Sequence, residues 1–266
     1  MGRQLGLVLA LLATSASLAS GQETRAAGSI EVSATSFRVT VDDGRALTSP
    51  DLIGAILDAS DEADRVMTVR IDTVSRDPAD PDGDVWLHRF SVLDPGTGGW
   101  QELCRPGQDG IAAGFPVAGS WTKDGRHLHR MSGFTVACTS GAVGKCVRFG
   151  YKPWRDVNGE SLWDYHQACV RMVRADYGGD GISHTRNGTL IDFFDRLGIQ
   201  NPHPGPGSHA LEFEAAWGPD GAVCVRQTRV REVLSVNELA MRYPRLLGRI
   251  GPDCTETVDA LIWNRS

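Results

Sequence analysis

The chain has 266 residues, a formal charge of −6 and a pI near 5.6, with 41% hydrophobic and 23% charged residues. That balance is globular rather than disordered, and with no basic run it excludes nucleic acid as a partner. Six cysteines, Cys104, Cys138, Cys146, Cys169, Cys224 and Cys254, point to disulfides in an oxidising compartment, with the connectivity left open by sequence alone.

Residues 1–19 read as a secretory signal peptide. Arg3 supplies the cationic start, Leu5 to Ala13 the apolar run, and Ser17 and Ala19 the small residues of a cleavage site near Ala19. The run is too short to span a bilayer, and no later stretch approaches the ~20 apolar residues that a spanning helix needs. The expectation is an exported protein, secreted or periplasmic, without a transmembrane segment. No cysteine lies at the cleavage region to carry a lipid. The mature chain divides into a β-rich region over 20–99 and a second domain over 100–266, or the two form one continuous domain.

From Ser29 to Arg76 the pattern is strand-like. Phe37, Val39 and Val41 alternate with polar residues, as do Val69, Ile71 and Thr73, and Asp42-Asp43-Gly44 is a turn signal between them. The acidic stretch from Asp58 to Asp64 reads as a solvated connection. The run from Asp77 to Asp84 is superficially like a calcium loop but lacks the ligand register and closing Glu, and its two prolines favour a plain turn. A strand over Val85 to Leu93 follows, then a Gly-rich turn and Trp100 leading into Cys104.

Cys104 to Ser132 is rich in Gly and Pro, with a hairpin-type turn at Lys123-Asp124-Gly125. His127 and His129 would share a strand face, yet without a third ligand nearby they read as surface histidines. Phe134 to Cys138 and Cys146 to Tyr151 look like two strands joined by the small residues from Ser140 to Gly144. Ser161 starts the clearest helix, with Asp164 in the place of a capping-box acid. Leu162, His166, Cys169 and Val173 recur at helical spacing as the inward face, Gln167, Arg171 and Arg174 form the polar stripe, and Gly178-Gly179 supplies the stop.

Asp180 to Gly188 is a polar loop, and Thr189 to Leu197 fits a helix as well as a strand. Asn201 to Gly207 is a loop without regular structure. Leu211, Phe213, Ala215 and Trp217 alternate cleanly, Pro219-Asp220-Gly221 turns the chain, and Val223 to Val230 returns as a hairpin. Ser235 to Glu238 is a capping-box pattern, Pro244 ends that helix, and Cys254 staples the tail. The resulting fold class is α+β, predominantly antiparallel β with two or three short helices, stapled by disulfides.

Several separated motifs occur in one order. They are Gly144 to Trp154, His166 to Tyr177, Gly179-Asp180-Gly181 with His184-Thr185, then Glu214-Ala215-Ala216-Trp217 and Gly221-Ala222-Val223-Cys224. This series resembles the ADYC-domain family of exported bacterial proteins over roughly Trp100 to Cys254. The resemblance implies an exported domain of unknown biochemical function. One residue departs from it: the Cys of Ala-Asp-Tyr-Cys is Gly178 here. An even cysteine count suggests that both halves of one bridge were lost together.

Asp176, Asp180, His184 and Asp192 supply carboxylates and an imidazole of the kind used in acid/base or metal chemistry. Set against that, there is no nucleophile elbow, zincin motif or phosphate-binding loop, and Asp and Gly suit a tight loop equally well. Arg171 and Arg174 are expected to pair with surface acids. Tyr151, Trp154, Trp163, Tyr165 and Tyr177 fit a core beside disulfides better than a ligand groove. The six cysteines lack zinc spacing, so no metal or cofactor is expected. Asn187-Gly188-Thr189 fits a glycosylation sequon, which carries no meaning in a bacterium. Two readings result. One is a non-enzymatic module that binds a surface polymer or protein. The other is an extracytoplasmic hydrolase with an Asp/His site, cation-dependent or not, in the 176–195 loop.

Overall fold

The structure is a computed structural model that describes residues 29–60, 65–121, 126–128, 133–204 and 211–266. The signal segment, residues 61–64 of the acidic stretch, the turn at Lys123 to Gly125, His129 and the end of the Asn201 to Gly207 loop, residues 205–207, lie outside the described residues. The chain divides into two compact units, the first within Met1–Thr122 and His127–Arg148, the second within Lys123–Arg126 and Phe149–Ser266.

The first unit is antiparallel β. β1 (Ile30–Ser33), β2 (Ser36–Thr40) and β3 (Ala46–Thr48) form a three-stranded sheet in that order. β4 (Ile56–Ser60), β5 (Val66–Arg76), β6 (Trp86–Leu93), β7 (Trp100–Glu102) and β8 (Gly114–Ala118) belong to a six-stranded sheet. Its order is β11-β8-β6-β5-β4, with β7 on β6 and β11 running over Phe134–Cys138. β9 (Ser120–Trp121) and β10 (His127–Leu128) make a small ribbon. The alternation read in the sequence has a packing cause. Phe37 and Val39 of β2 turn inward onto Val69, Ile71, Phe90, Phe134 and Val136 of the larger sheet, and these residues form one buried cluster. Pro116 sits within β8, but β8 meets β6 only at Gly114, so the missing N–H falls where the strand has β11 as its sole ladder partner.

Three expectations change in this unit. Asp58 lies within β4 rather than in a solvated connection, because Leu57 and Ala59 on either side are buried in the core. His127 is buried and stacked on Trp121 at 4.0 Å, not a surface residue. The stretch around Cys146 is a helix and not a strand: α1 spans Ala142–Arg148. Its Gly144 is pressed so closely on the end of β11 that a Cβ would stand 2.3 Å from the Cys138 carbonyl. That contact fixes a helix in a segment whose valines and glycines favour none. The Cys104–Cys138 disulfide then ties the chain after β7 to the end of β11.

The second unit packs a helix on a sheet. A two-strand ribbon, β12 (Asp156–Val157) with β13 (Glu160–Ser161), leads into α2 (Leu162–Arg174). β14 (Asp192–Asp195), β15 (Phe213–Gly218), β16 (Gly221–Val225) and β17 (Ile262–Arg265) form an antiparallel sheet in the order β14-β17-β15-β16. α3 covers Val236–Arg242. The expected hairpin is β15–β16, turning at Pro219-Asp220, and the segment after Thr189, which fits helix and strand alike, holds the strand β14. α2 lies against β15, β16 and β17. Elsewhere in the unit the Cys224–Cys254 disulfide packs with Ala216, Ala260 and Trp263. All six cysteines are disulfide-bonded and none is free. Among the described residues no helix is long and apolar enough to cross a membrane.

Candidate functional site

The stretch from α2 to His184 is built from the helix outward. Ser161 caps α2, its hydroxyl accepting from the Trp163 N–H, and the Asp164 half of the expected box is not formed. The expected polar stripe is not solvated. Gln167 and Arg171 are as buried as Leu162, Cys169 and Met172, so nearly the whole circumference of the helix is covered. The helix ends before Gly178-Gly179, at Ala175, which takes the left-handed conformation at φ 48°. A non-glycine residue there is strained, and alanine keeps the clash smallest.

Asp176 is the hub of the loop after the helix. Its Oδ1 accepts from the Gly179 and Asp180 N–H groups at 2.9 and 3.1 Å. Its Oδ2 accepts from the Arg171 guanidinium at 2.6 Å and the Gly181 N–H at 2.8 Å. Four donors fill the acceptor capacity of one carboxylate. Burial pushes its pKa above the ordinary value, opposed by Arg171 and the Gly181 N–H. Arg171 therefore pairs in the interior, not on the surface, and Arg174 bonds the Gly181 carbonyl rather than an acid.

Tyr177 is held as firmly. Its hydroxyl donates to Glu214 at 2.9 Å and accepts from the Arg229 N–H at 2.8 Å, and its ring stacks on Trp217. Burial and the Glu214 carboxylate keep this phenol protonated far above its ordinary range. Glu214 also takes Asn264 at 2.6 Å and Arg229 at 2.9 Å. The Arg229 guanidinium in addition donates to the Met172 and Val173 carbonyls at the end of α2, where cations meet the helix dipole favourably. The sequence points to Glu214 only as part of a motif. Its partner Arg229 carries no signal, because the two are 15 residues apart and meet only when the hairpin closes.

The remaining residues of the expected site are placed differently. Asp180 is exposed and accepts from the Ile182 N–H and, at 3.2 Å, the Tyr243 hydroxyl. His184 is buried between the Tyr177 and Tyr243 rings. Its Nδ1 lies 3.2 Å from the Ala175 carbonyl, which can only accept, so the proton sits on Nδ1. The lone pair on Nε2 has no partner. Burial lowers the pKa of this imidazole. Asp192 belongs to the sheet edge, paired across the ladder with Arg265, and its Oδ1 accepts from the His203 N–H. Tyr151, Tyr165 and Tyr177 are buried, as expected of core aromatics, whereas Trp154 and Trp163 are partly exposed.

Among the described residues, the carboxylates that do converge are those of Asp80, Asp82 and Asp84, with ligand atoms within 4.8 Å of one another. They sit in the turn that the sequence likens to a calcium loop. Asp80 there accepts from the Asp84 and Val85 N–H groups, as a turn residue does.

Fold and site together define a disulfide-stapled α+β domain in which the residues around Asp176 bind one another. The sequence matches the ADYC domain over residues 49–231, well over half of the chain. The chain belongs to that family. No curated protein and no solved structure matches the chain significantly. The match begins well before Trp100, where the resemblance is expected to begin, and ends before Cys254. At the position of the family's cysteine, a Cβ on Gly178 would stand 2.1 Å from a ring carbon of Tyr243. The tyrosine ring fills the place of a side chain there, and none of the six cysteines is a free thiol.

Proposed function

We propose that this ADYC-family chain is an exported, non-enzymatic module that binds a surface polymer or protein, with the Ala175-Asp176-Tyr177 motif serving as its internal keystone. The observation that carries this reading is the saturation of Asp176. A carboxylate that already accepts from Arg171 and three backbone N–H groups has no lone pair left to activate water or hold a cation. Disulfide bonding of all six cysteines fits an oxidising compartment outside the cytoplasm.

The alternative, a hydrolase of the 176–195 loop, draws on one feature, the unbonded Nε2 of His184 with its tautomer set by the Ala175 carbonyl. One experiment separates the two. The purified chain is incubated with chromogenic esters, phosphate esters, glycosides and peptides, with and without divalent cations, and in parallel sedimented with isolated cell envelopes. The expected result is co-sedimentation without turnover. Turnover that is lost in a folded His184→Gln variant would overturn the module reading.

A further inference from the structure

We propose that the pocket between the β1–β2 turn and the start of β6 binds one acidic sugar unit of a surface polymer, with Arg38 and Arg76 taking its carboxylate or phosphate. The inference rests on the binding-module reading and adds the chemical class of the polymer. The pocket lies within the first unit, encloses about 320 Å³, and has Ser33, Ala34, Arg38, Arg76, Asp84 and Trp86 in its walls. That volume is at the small end for ligand sites and fits one sugar ring rather than a folded peptide.

The walls are pinned from both sides. The buried Thr35 hydroxyl donates to the Asp84 carbonyl at 3.1 Å and accepts from the Trp86 N–H at 2.7 Å, which sews the hairpin turn to the chain entering β6. Ala34 beside it holds φ 55°, a left-handed conformation that is costly for a residue with a Cβ. Opposite, Arg76 pairs with Trp86 across the β5–β6 ladder and lays its guanidinium 4.0 Å from the indole centroid. The stack holds a long side chain in place, so less freedom is lost when a ligand binds it.

These side chains leave open a set of donors. Among the described residues neither Arg38 nor Arg76 forms an ion pair or a hydrogen bond, and the Ser33 hydroxyl and the Trp86 indole N–H bond nothing. Glu31 stands across the ladder from Arg38 without pairing with it. Arg45, Arg70 and Arg89 of the same unit, by contrast, each hold a carboxylate. A guanidinium only donates, in a planar fork that matches carboxylate and phosphate. Two of them against the one carboxylate of Asp84 leave the lining with a net charge of +1 (2 − 1). The ligand is therefore an anion. The hydroxyl, methyl and indole surfaces beside the guanidiniums match a sugar ring, which is polar at its edges and apolar across its C–H face.

The test uses the purified chain in a chelating buffer, titrated calorimetrically with trigalacturonate, with glucose 6-phosphate and, as the neutral control, with trigalactose. The expected result is binding of at least one of the two anions, weakened as salt is raised, and none of the neutral sugar. Which anion binds tells carboxylate from phosphate. Arg38→Ala and Arg76→Ala should each weaken that binding about tenfold or more. Arg38 has no protein partner among the described residues, so its removal should leave the melting temperature unchanged. Equal binding of the neutral sugar, or an affinity unchanged in both variants, overturns the proposal. So does failure of both anions to bind a chain that still co-sediments with cell envelopes, and the module reading then stands; loss of co-sedimentation as well overturns both.

Discussion

At the scale of single residues, the family motif reads as a set of steric and electrostatic necessities. Ala175 tolerates a left-handed backbone, Asp176 gathers the loop, and Tyr177 joins the loop to Glu214 and Arg229. Removing one charge of a buried ion pair is costly, so Asp176→Asn, which takes the opposing charge away from Arg171, should cost about 3–5 kcal/mol in chemical denaturation. Gly178 offers a sharper test because the obstacle is one ring. Gly178→Ala should destabilise the chain by about 1–3 kcal/mol through overpacking on Tyr243. Adding Tyr243→Ala should then cost less than the two changes summed, and strict additivity in the double-mutant cycle would refute the contact. None of these pairings is visible in the sequence. Tyr243 lies far beyond Gly178 in the chain, in a helix exit that has no local reason to point back.

At the scale of elements, boundaries follow local chemistry wherever side chain and backbone meet within a few residues. Ser235 and Glu238 form the full capping box that their spacing predicts at the start of α3. Ser235→Ala should lower stability by about 1 kcal/mol, read as a shift in the denaturation midpoint without a change in slope. The β15–β16 hairpin is equally legible, since alternation and a Pro-Asp-Gly turn are local signals. The helicity of α1 and the buried polar face of α2 are not. Gly144 is helical because it is clamped against Cys138, and Arg171 is buried because Asp176 and the Pro219 carbonyl wait for it. Helical periodicity separates apolar from polar faces, and it misassigns a face whose arginine is neutralised indoors.

At the scale of the whole molecule, acid sensitivity should expose the buried imidazoles. His88 lies in the core beside Ser49, its Nε2 2.7 Å from the Ser49 hydroxyl, and burial lowers its pKa to about 4 from 6.5. The unfolded chain takes up the proton first, so the stability contributed by the neutral ring is fully present above pH 6.5 and is lost as pH falls towards 4. The loss should approach ~3 kcal/mol at most across that window, and His184 acts in the same direction. The dependence of stability on pH between these limits should flatten in His88→Gln; an unchanged pH slope would assign the effect elsewhere. By itself the sequence determined what is written in local patterns and in composition: an antiparallel α+β chain, the β15–β16 hairpin, the Ser161 and Ser235 caps, cysteines destined for disulfides, and the family. Only the tertiary structure decided that Asp176 is filled by Arg171 and backbone N–H groups, that His184 is buried between two tyrosine rings, that Asp192 belongs to a sheet edge, and that the buried arginines are internal partners. The physical reason is that burial and ion pairing are set by residues far apart in the chain, and no periodicity records which of them will meet.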